Sequence, residues 1–176
     1  ARVLRGEVTD RFSTLVNPQQ PIPSFITRLT GINDEMVKDA PPIEEAIAPF
    51  TKFLGRDVFV GHNVGFDHKF LNHNLWRHHR QFLINDTLCT AKLARRVHSE
   101  LPSKRLGSVC EVYNIVNEQA HRAMGDVNAT VGILQGMLRR LKERDVSSYA
   151  DVKKFEKLPI AQACHILNGM KMRRER

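Results

Sequence analysis

Apolar positions recur at helical spacing over the stretch from about residue 122 to 143. Val127, Val131, Leu134, Leu138 and Leu141 step by three or four and predict one long amphipathic helix. Arg139, Arg140, Lys142 and Arg144 crowd its end, where cations suit the helix dipole. A shorter stripe, Ile43, Ile47, Phe50 and Leu54, predicts a helix between Pro42 and Gly55, with Pro49 as an expected kink. "SFITRLTGINDEMVKDA" predicts two short helices broken at Gly31, the second N-capped by Asn33. "GFDHKFLNHNL" predicts a helix from about Gly65, and "LCTAKLARRVHS" and "SKRLGSVCEVYN" predict two more. Strand-type runs fall between them. "ARVLRGEVTDRFSTLV" reads as two strands about a Gly6 turn, "DVFVGHN" as a buried strand and "FLINDT" as a short one. Strands alternating with helices predict an α/β fold.

The pattern weakens after Val146. A Ser-rich start, a possible helix at Ile160–Met170 and a basic end read as an appendage or linker, which divides the chain into residues 1–145 and 146–176. A length of 176 residues with 41% hydrophobic residues supports a core of one ordinary domain. The net charge of +8 favours an anionic partner, nucleic acid first, although a merely soluble basic protein has the same balance. Cys89, Cys110 and Cys164 are odd in number and lack CxxC spacing, which fits thiols of a reducing cytoplasm better than a disulfide or zinc framework. No apolar run is long enough to span a bilayer, so no membrane partner is expected.

Three residues carry candidate chemistry. Asp126 interrupts the start of the long apolar stripe, and a carboxylate there needs a partner or a metal. Ala123, Gly125 and Ala129 leave room beside it. His121 precedes the helix, on a predicted loop; imidazole is a natural base for activating water. Asp67 stands near a helix start directly after a buried strand, the place where α/β sheets gather their sites. Each has a plainer reading: a residue before a helix cap, a surface carboxylate, and helix N-terminal electrostatics. His68, His73 and His78 recur every fifth residue, about 140° apart on a helix, and so do not form a zinc-binding face. Trp76 is read as packing or as a base-stacking residue, and "KMRRER" as a solvated or phosphate-touching tail.

Read together, "HNVGFDHKFL" and, some sixty residues on, "HRAMGDVNAT" resemble the second and third motifs of the DEDDh 3′–5′ exonucleases, the family of the bacterial proofreading epsilon subunit. "LVNPQQPIPSFITRLTGINDEMVKDAPP", "NDTLCTAKLARR" and "LPSKRLGSVCEVYNI" resemble the intervening segments, in the expected order, over roughly residues 1–142. The resemblance implies an RNase H-like mixed sheet flanked by helices. It implies hydrolysis at a nucleic acid 3′ end, releasing nucleoside 5′-monophosphates, with two divalent ions, Mg²⁺ or Mn²⁺. His121 would be the general base, Asp126 a metal ligand and Asp67 a support for the second ion. Thr30, Ile32, Asn63 and Phe66 would contact the terminal nucleotide, and a polymerase or another replication or repair protein is an implied partner. The family's first motif, an Asp-x-Glu on the central strand, does not occur in the sequence, and the expectation is a fold lacking that strand and two of its carboxylates. The rival expectation is a non-catalytic module on the same fold that binds nucleic acid or a protein partner.

Overall fold

The computed structural model describes residues 1–117 and 120–169. They form two compact units, one made of residues 1–59, 65–86 and the described part of 118–128, the other of 60–64, 87–117 and the described part of 129–176. The fold is mixed α/β, with two-stranded sheets accompanied by helices.

In the first unit, β1 (Arg2–Leu4) and β2 (Glu7–Asp10) form an antiparallel hairpin pairing Val3 with Val8 and Leu4 with Glu7. Its two turn residues, Arg5 and Gly6, both have positive φ, as the tight turn of a right-twisted hairpin demands. Arg2 anchors the hairpin. Its guanidinium donates to Asp57 at 2.9 Å, bonds the Phe53 carbonyl and lies 4.9 Å from the centroid of the Phe53 ring. The expected second strand stops short. Residues 11–16 leave the ladder, and Phe12 packs against Phe50 and Phe53 with centroid distances of 6.1 and 5.6 Å. An aromatic anchor has replaced ladder hydrogen bonds there.

Helices α1 (Ser24–Thr30) and α2 (Asp34–Val37) follow as the sequence predicts. Gly31 closes α1 at φ 69°, and the Asn33 side chain accepts from the Met36 N–H at 3.0 Å. Helix α3 (Ile43–Leu54) contains Pro49 and ends at Gly55 with φ 57°. Helix α4 (Gly65–His79) packs on α3, where a His79 ring nitrogen donates to the Glu44 carbonyl at 2.9 Å.

Strand β3 (Phe59–Gly61) pairs with β4 (Thr87–Cys89). The strand expected in "FLINDT" therefore begins later. Leu83 N–H goes to Asn72 Oδ1 at 2.7 Å, and the Asn85 side chain donates to the Gly55 and Asp57 carbonyls. Side chains claim that backbone before a ladder can.

The second unit is helical around a core of Leu93, Val97, Val109, Ile133, Met137, Leu141 and Phe155, each essentially removed from solvent. It contains α5 (Thr90–Val97), α6 (Leu106–Val112), most of α7 (Ala123–Lys142), α8 (Tyr149–Lys157) and α9 (Ile160–Leu167). The buried stripe of α7 runs through Ala129, Ile133, Gly136, Met137 and Leu141, not through the expected Val127, Val131, Leu134 and Leu138, which flank it half-buried. Small residues explain the shift. A Cβ at Gly132 would stand 2.7 Å from Ile115, and one at Gly136 2.4 Å from the Tyr113 ring. The glycine face of α7 is the face its neighbours approach.

Residues after 146 fold as α8 and α9, both packed on α5. Ser148 caps α8 by accepting from the Asp151 N–H at 3.1 Å. The buried Glu156 carboxylate accepts the Cys89 N–H at 2.7 Å and pairs with Lys153 at 2.8 Å. Arg96 Nε donates to the Leu158 carbonyl at 2.7 Å. These bonds tie the C-terminal helices to β4 and α5. Among the described residues no helix is long and apolar enough to cross a membrane. Phe155→Ala should lower unfolding free energy by about 3–5 kcal/mol in urea denaturation. A loss under about 1 kcal/mol would show that α8 is only loosely attached.

Candidate functional site

His121, Asp126, Asp67, Thr30, Ile32 and Phe66 all fall in the first unit, whereas Asn63 falls in the second. Asp126 occupies the first turn of α7, and its N–H bonds the Arg122 carbonyl at 3.0 Å. Its carboxylate stands near the positive end of the helix. Seven residues separate it from Ile133, so it lies within roughly 20° of that core position around the helix. Asp126 itself is half-buried.

His121 sits in the turn before α7 with φ 66°. That left-handed conformation is unfavourable for a residue with a Cβ. Its N–H points to Asp126 Oδ1 at 3.4 Å, a long bond that nevertheless couples the turn to the carboxylate. The imidazole itself is exposed. The sequence placed the histidine on a loop and the aspartate on the helix, but gave no sign of the positive φ.

Asp67 lies in the first turn of α4. The residue is largely exposed, yet neighbouring atoms dehydrate its carboxyl enough to raise its pKa above the ordinary value, with its own backbone N–H partly offsetting the shift. A helix N-terminus would by itself lower that pKa. Desolvation therefore outweighs the bond from its own backbone N–H.

The four expected substrate contacts differ in character. Thr30 ends α1, donates through its hydroxyl to the Ile26 carbonyl at 2.8 Å and accepts the Ile32 N–H at 3.1 Å. The hydroxyl thus sets the turn that presents Ile32, itself half-buried. Phe66 is 74% exposed, so its ring faces solvent with little packing to account for it. Asn63 has φ 71° and an exposed side chain, in the turn after β3.

Sequence reasoning passed over His62, beside Asn63. Its Nε2 lies 2.7 Å from the Lys104 carbonyl and its Nδ1 2.9 Å from the Thr90 hydroxyl. A carbonyl only accepts, so Nε2 carries the proton and Thr90 donates to Nδ1. Burial lowers the His62 pKa, in keeping with that neutral tautomer. Its neighbours are recognisable only once the start of α5 and residue 104 are brought together, which explains why spacing gave no signal.

Among the described residues no three His, Cys, Asp or Glu side chains are grouped so as to hold a metal ion. Asp67 and Asp126 provide hard oxygen donors, the right chemistry for Mg²⁺ or Mn²⁺. Two carboxylates offer four oxygens at most, too few for two ions that each want about six ligands. The residues fit part of such a centre and do not complete it.

The exonuclease (RNase T) family profile matches residues 1–134. The DNA polymerase III subunit epsilon of Aquifex aeolicus is 36% identical over 157 residues, covering 89% of this chain and 78% of that protein. A candidate bifunctional exonuclease/endonuclease of Mycobacterium tuberculosis is 40% identical over 88% of this chain, which spans 24% of its length. The PolC-type DNA polymerase III of Bacillus subtilis is 33% identical over 86% of the chain, which spans 11% of it. Exonuclease X, solved with 5′ overhanging duplex DNA, shares the fold with a TM-score of 0.66 at 22% identity, over 94% of this chain and 86% of its own. Its RNase H-like fold is the one the motif order implies. The chain belongs to the exonuclease family of RNase T.

Proposed function

We propose that the chain acts as a 3′–5′ exonuclease on DNA or RNA ends, releasing nucleoside 5′-monophosphates with Mg²⁺ or Mn²⁺. One observation carries the reading: an exposed histidine held in a strained turn, its backbone pointed at the first-turn carboxylate of the next helix. The family match and the epsilon-subunit relative support nuclease chemistry on nucleic acid.

His121 would take the proton from the attacking water, and its exposed turn leaves the imidazole access to substrate. Asp126 and Asp67 would hold metal. Bound divalent ions would supply Lewis-acid stabilisation of charge at the scissile phosphate. Their remaining ligands would be phosphate oxygens and water. Thr30, Ile32, Phe66 and Asn63 would contact the terminal nucleotide. A polymerase or another replication or repair protein is the partner we propose, by analogy with the polymerase III relatives, in the cytoplasm.

End-labelled single-stranded oligonucleotide, incubated with Mn²⁺ or with EDTA, tests the reading. Loss of nucleotides from the 3′ end, in Mn²⁺ only and abolished by Asp126→Ala, is expected. Binding without degradation in either condition would support instead a non-catalytic nucleic-acid-binding module on this fold. Where degradation occurs, His121→Asn should slow it roughly 10²- to 10⁴-fold. Asparagine tolerates positive φ, so this variant removes the imidazole and spares the turn. A change under about tenfold would reduce His121 to a backbone role.

Asp67 gives a pH test. Its folded pKa is raised, so the folded state holds the proton more tightly than the unfolded chain does. Its stabilising contribution is full below the ordinary value of 3.8 and is lost as pH rises through the folded pKa. Without metal, Asp67→Asn should not show that loss in denaturation curves across the acid range. Mn²⁺ should restore stability to the native protein at neutral pH and leave the variant little changed. Equal Mn²⁺ stabilisation of both would remove Asp67 from the metal site.

A further inference from the structure

At the far end of α4 the rings of Trp76 and Phe82 stack nearly parallel, 9° apart with centroids at 5.1 Å. The Arg80 guanidinium lies 5.1 Å from the Trp76 centroid. None of this is core: Trp76 is 47% exposed, Phe82 59% and neighbouring Ile84 87%. Buried aromatics are normally covered by something, whereas this stack faces water.

The arrangement is nevertheless built and held. Arg80 adopts φ 53°, turning the chain back so that Phe82 returns over Trp76. The Arg80 N–H bonds the Trp76 carbonyl at 3.2 Å, Leu83 N–H goes to Asn72, and the Asn85 side chain donates to the Gly55 and Asp57 carbonyls. Phe82 is thus fixed in place before any ligand arrives, and ordering it on binding costs little.

Charge indicates what the surface receives. From His68 to Asn85 the chain contains no carboxylate, while Lys69, Arg77 and Arg80 bring positive charge. Exposed aromatic faces interleaved with arginines suit single-stranded nucleic acid, whose bases stack and whose phosphates pair with guanidinium groups. A double helix keeps its base faces hidden and would gain nothing from Phe82.

We propose that Trp76, Arg80 and Phe82 form a second nucleic-acid contact, a stacking platform for unpaired bases separate from the site of 3′-end hydrolysis. Trp76 follows Asp67 by nine residues, about 14 Å along α4 and roughly half a turn around it. The platform therefore holds a stretch of strand other than the terminal nucleotide beside Asp67. It anchors substrate and takes no part in bond breaking. The inference rests on the nucleic-acid part of the proposed function, not on its chemistry.

Trp76 is the single tryptophan of the chain, so its fluorescence reports on the platform alone. A deoxythymidine oligonucleotide of roughly 16 nucleotides, titrated in EDTA, should quench that emission to saturation. Phe82→Ala keeps the reporter and lies outside any helix. It should weaken binding on the order of 5- to 100-fold, and blunt-ended duplex should bind without quenching. Arg80→Gln should lower the slope of log affinity against log salt by roughly 0.7. Oligonucleotide binding that leaves Trp76 emission unmoved and Phe82→Ala unaffected would overturn the platform, assign the surface to a protein partner and leave the 3′-end reading standing. Quenching with no Mn²⁺-dependent hydrolysis would do the reverse.

Discussion

The close approach made to α7 at Gly132 and Gly136 is the constraint that orients the rest of this helix. Any side chain at Gly136 would collide with the Tyr113 ring. That ring is fixed in turn. His98 Nε2 lies 2.7 Å from the Tyr113 hydroxyl, and His98 Nδ1 lies 3.3 Å from an Arg140 guanidinium nitrogen and 3.4 Å from Glu100. Arginine can only donate, so where Nδ1 accepts from Arg140 the ring proton sits on Nε2 and reaches the tyrosine. Burial, then the Arg140 charge, lowers the His98 pKa, and burial pushes the Tyr113 hydroxyl up to about 12. Both shifts favour the neutral forms at physiological pH. Arg140 belongs to α7 itself, so the chain of contacts leaves the helix and returns to it.

A helix locked about its axis fixes every side chain on it, because each residue advances roughly 100°. Ile133, Met137 and Leu141, on the buried side of α7, are fully removed from solvent. The long helix was legible in the sequence to within a residue at each end, since twenty residues of recurring apolar positions admit no other period. Its rotation was not. Reading the largest side chains as the inner face selects Leu134 and Leu138, whereas the helix turns its glycines inward to admit Tyr113 and Ile115. Size indicates what is apolar; it does not reveal where a neighbour needs space.

Short elements depended more on tertiary partners. Caps were readable, as Asn33 and Gly31 show, because a cap is a bond between close neighbours in sequence. The strand expected near residue 83 failed because Asn72 and Asn85 take up backbone groups from elsewhere in the chain. Helix α8 was missed since only Val152, Phe155 and Glu156 mark its inner side, and a buried glutamate reads as solvent-facing until the Cys89 N–H is seen against it. The candidate site shows the same division. His121 and Asp126 were found together because five residues and one turn join them. The Trp76–Phe82 stack depends on the reversal at Arg80, which no composition rule foretells for an arginine.

Asp67 illustrates how local and tertiary terms compete at a site. Local structure favours its charge, since a carboxylate in a first helical turn gains from the dipole. Burial opposes it and outweighs the bond from its own backbone N–H, so the pKa is raised. A fold selected for stability alone would place an asparagine or serine here, satisfying the helix start without a dehydrated charge. Keeping the aspartate makes sense if a positive charge arrives that the apo fold does not supply, because an adjacent cation reverses the sign of the electrostatic balance. Perturbed groups of this kind concentrate at functional sites, and this one lies within the residues that the exonuclease family profile matches.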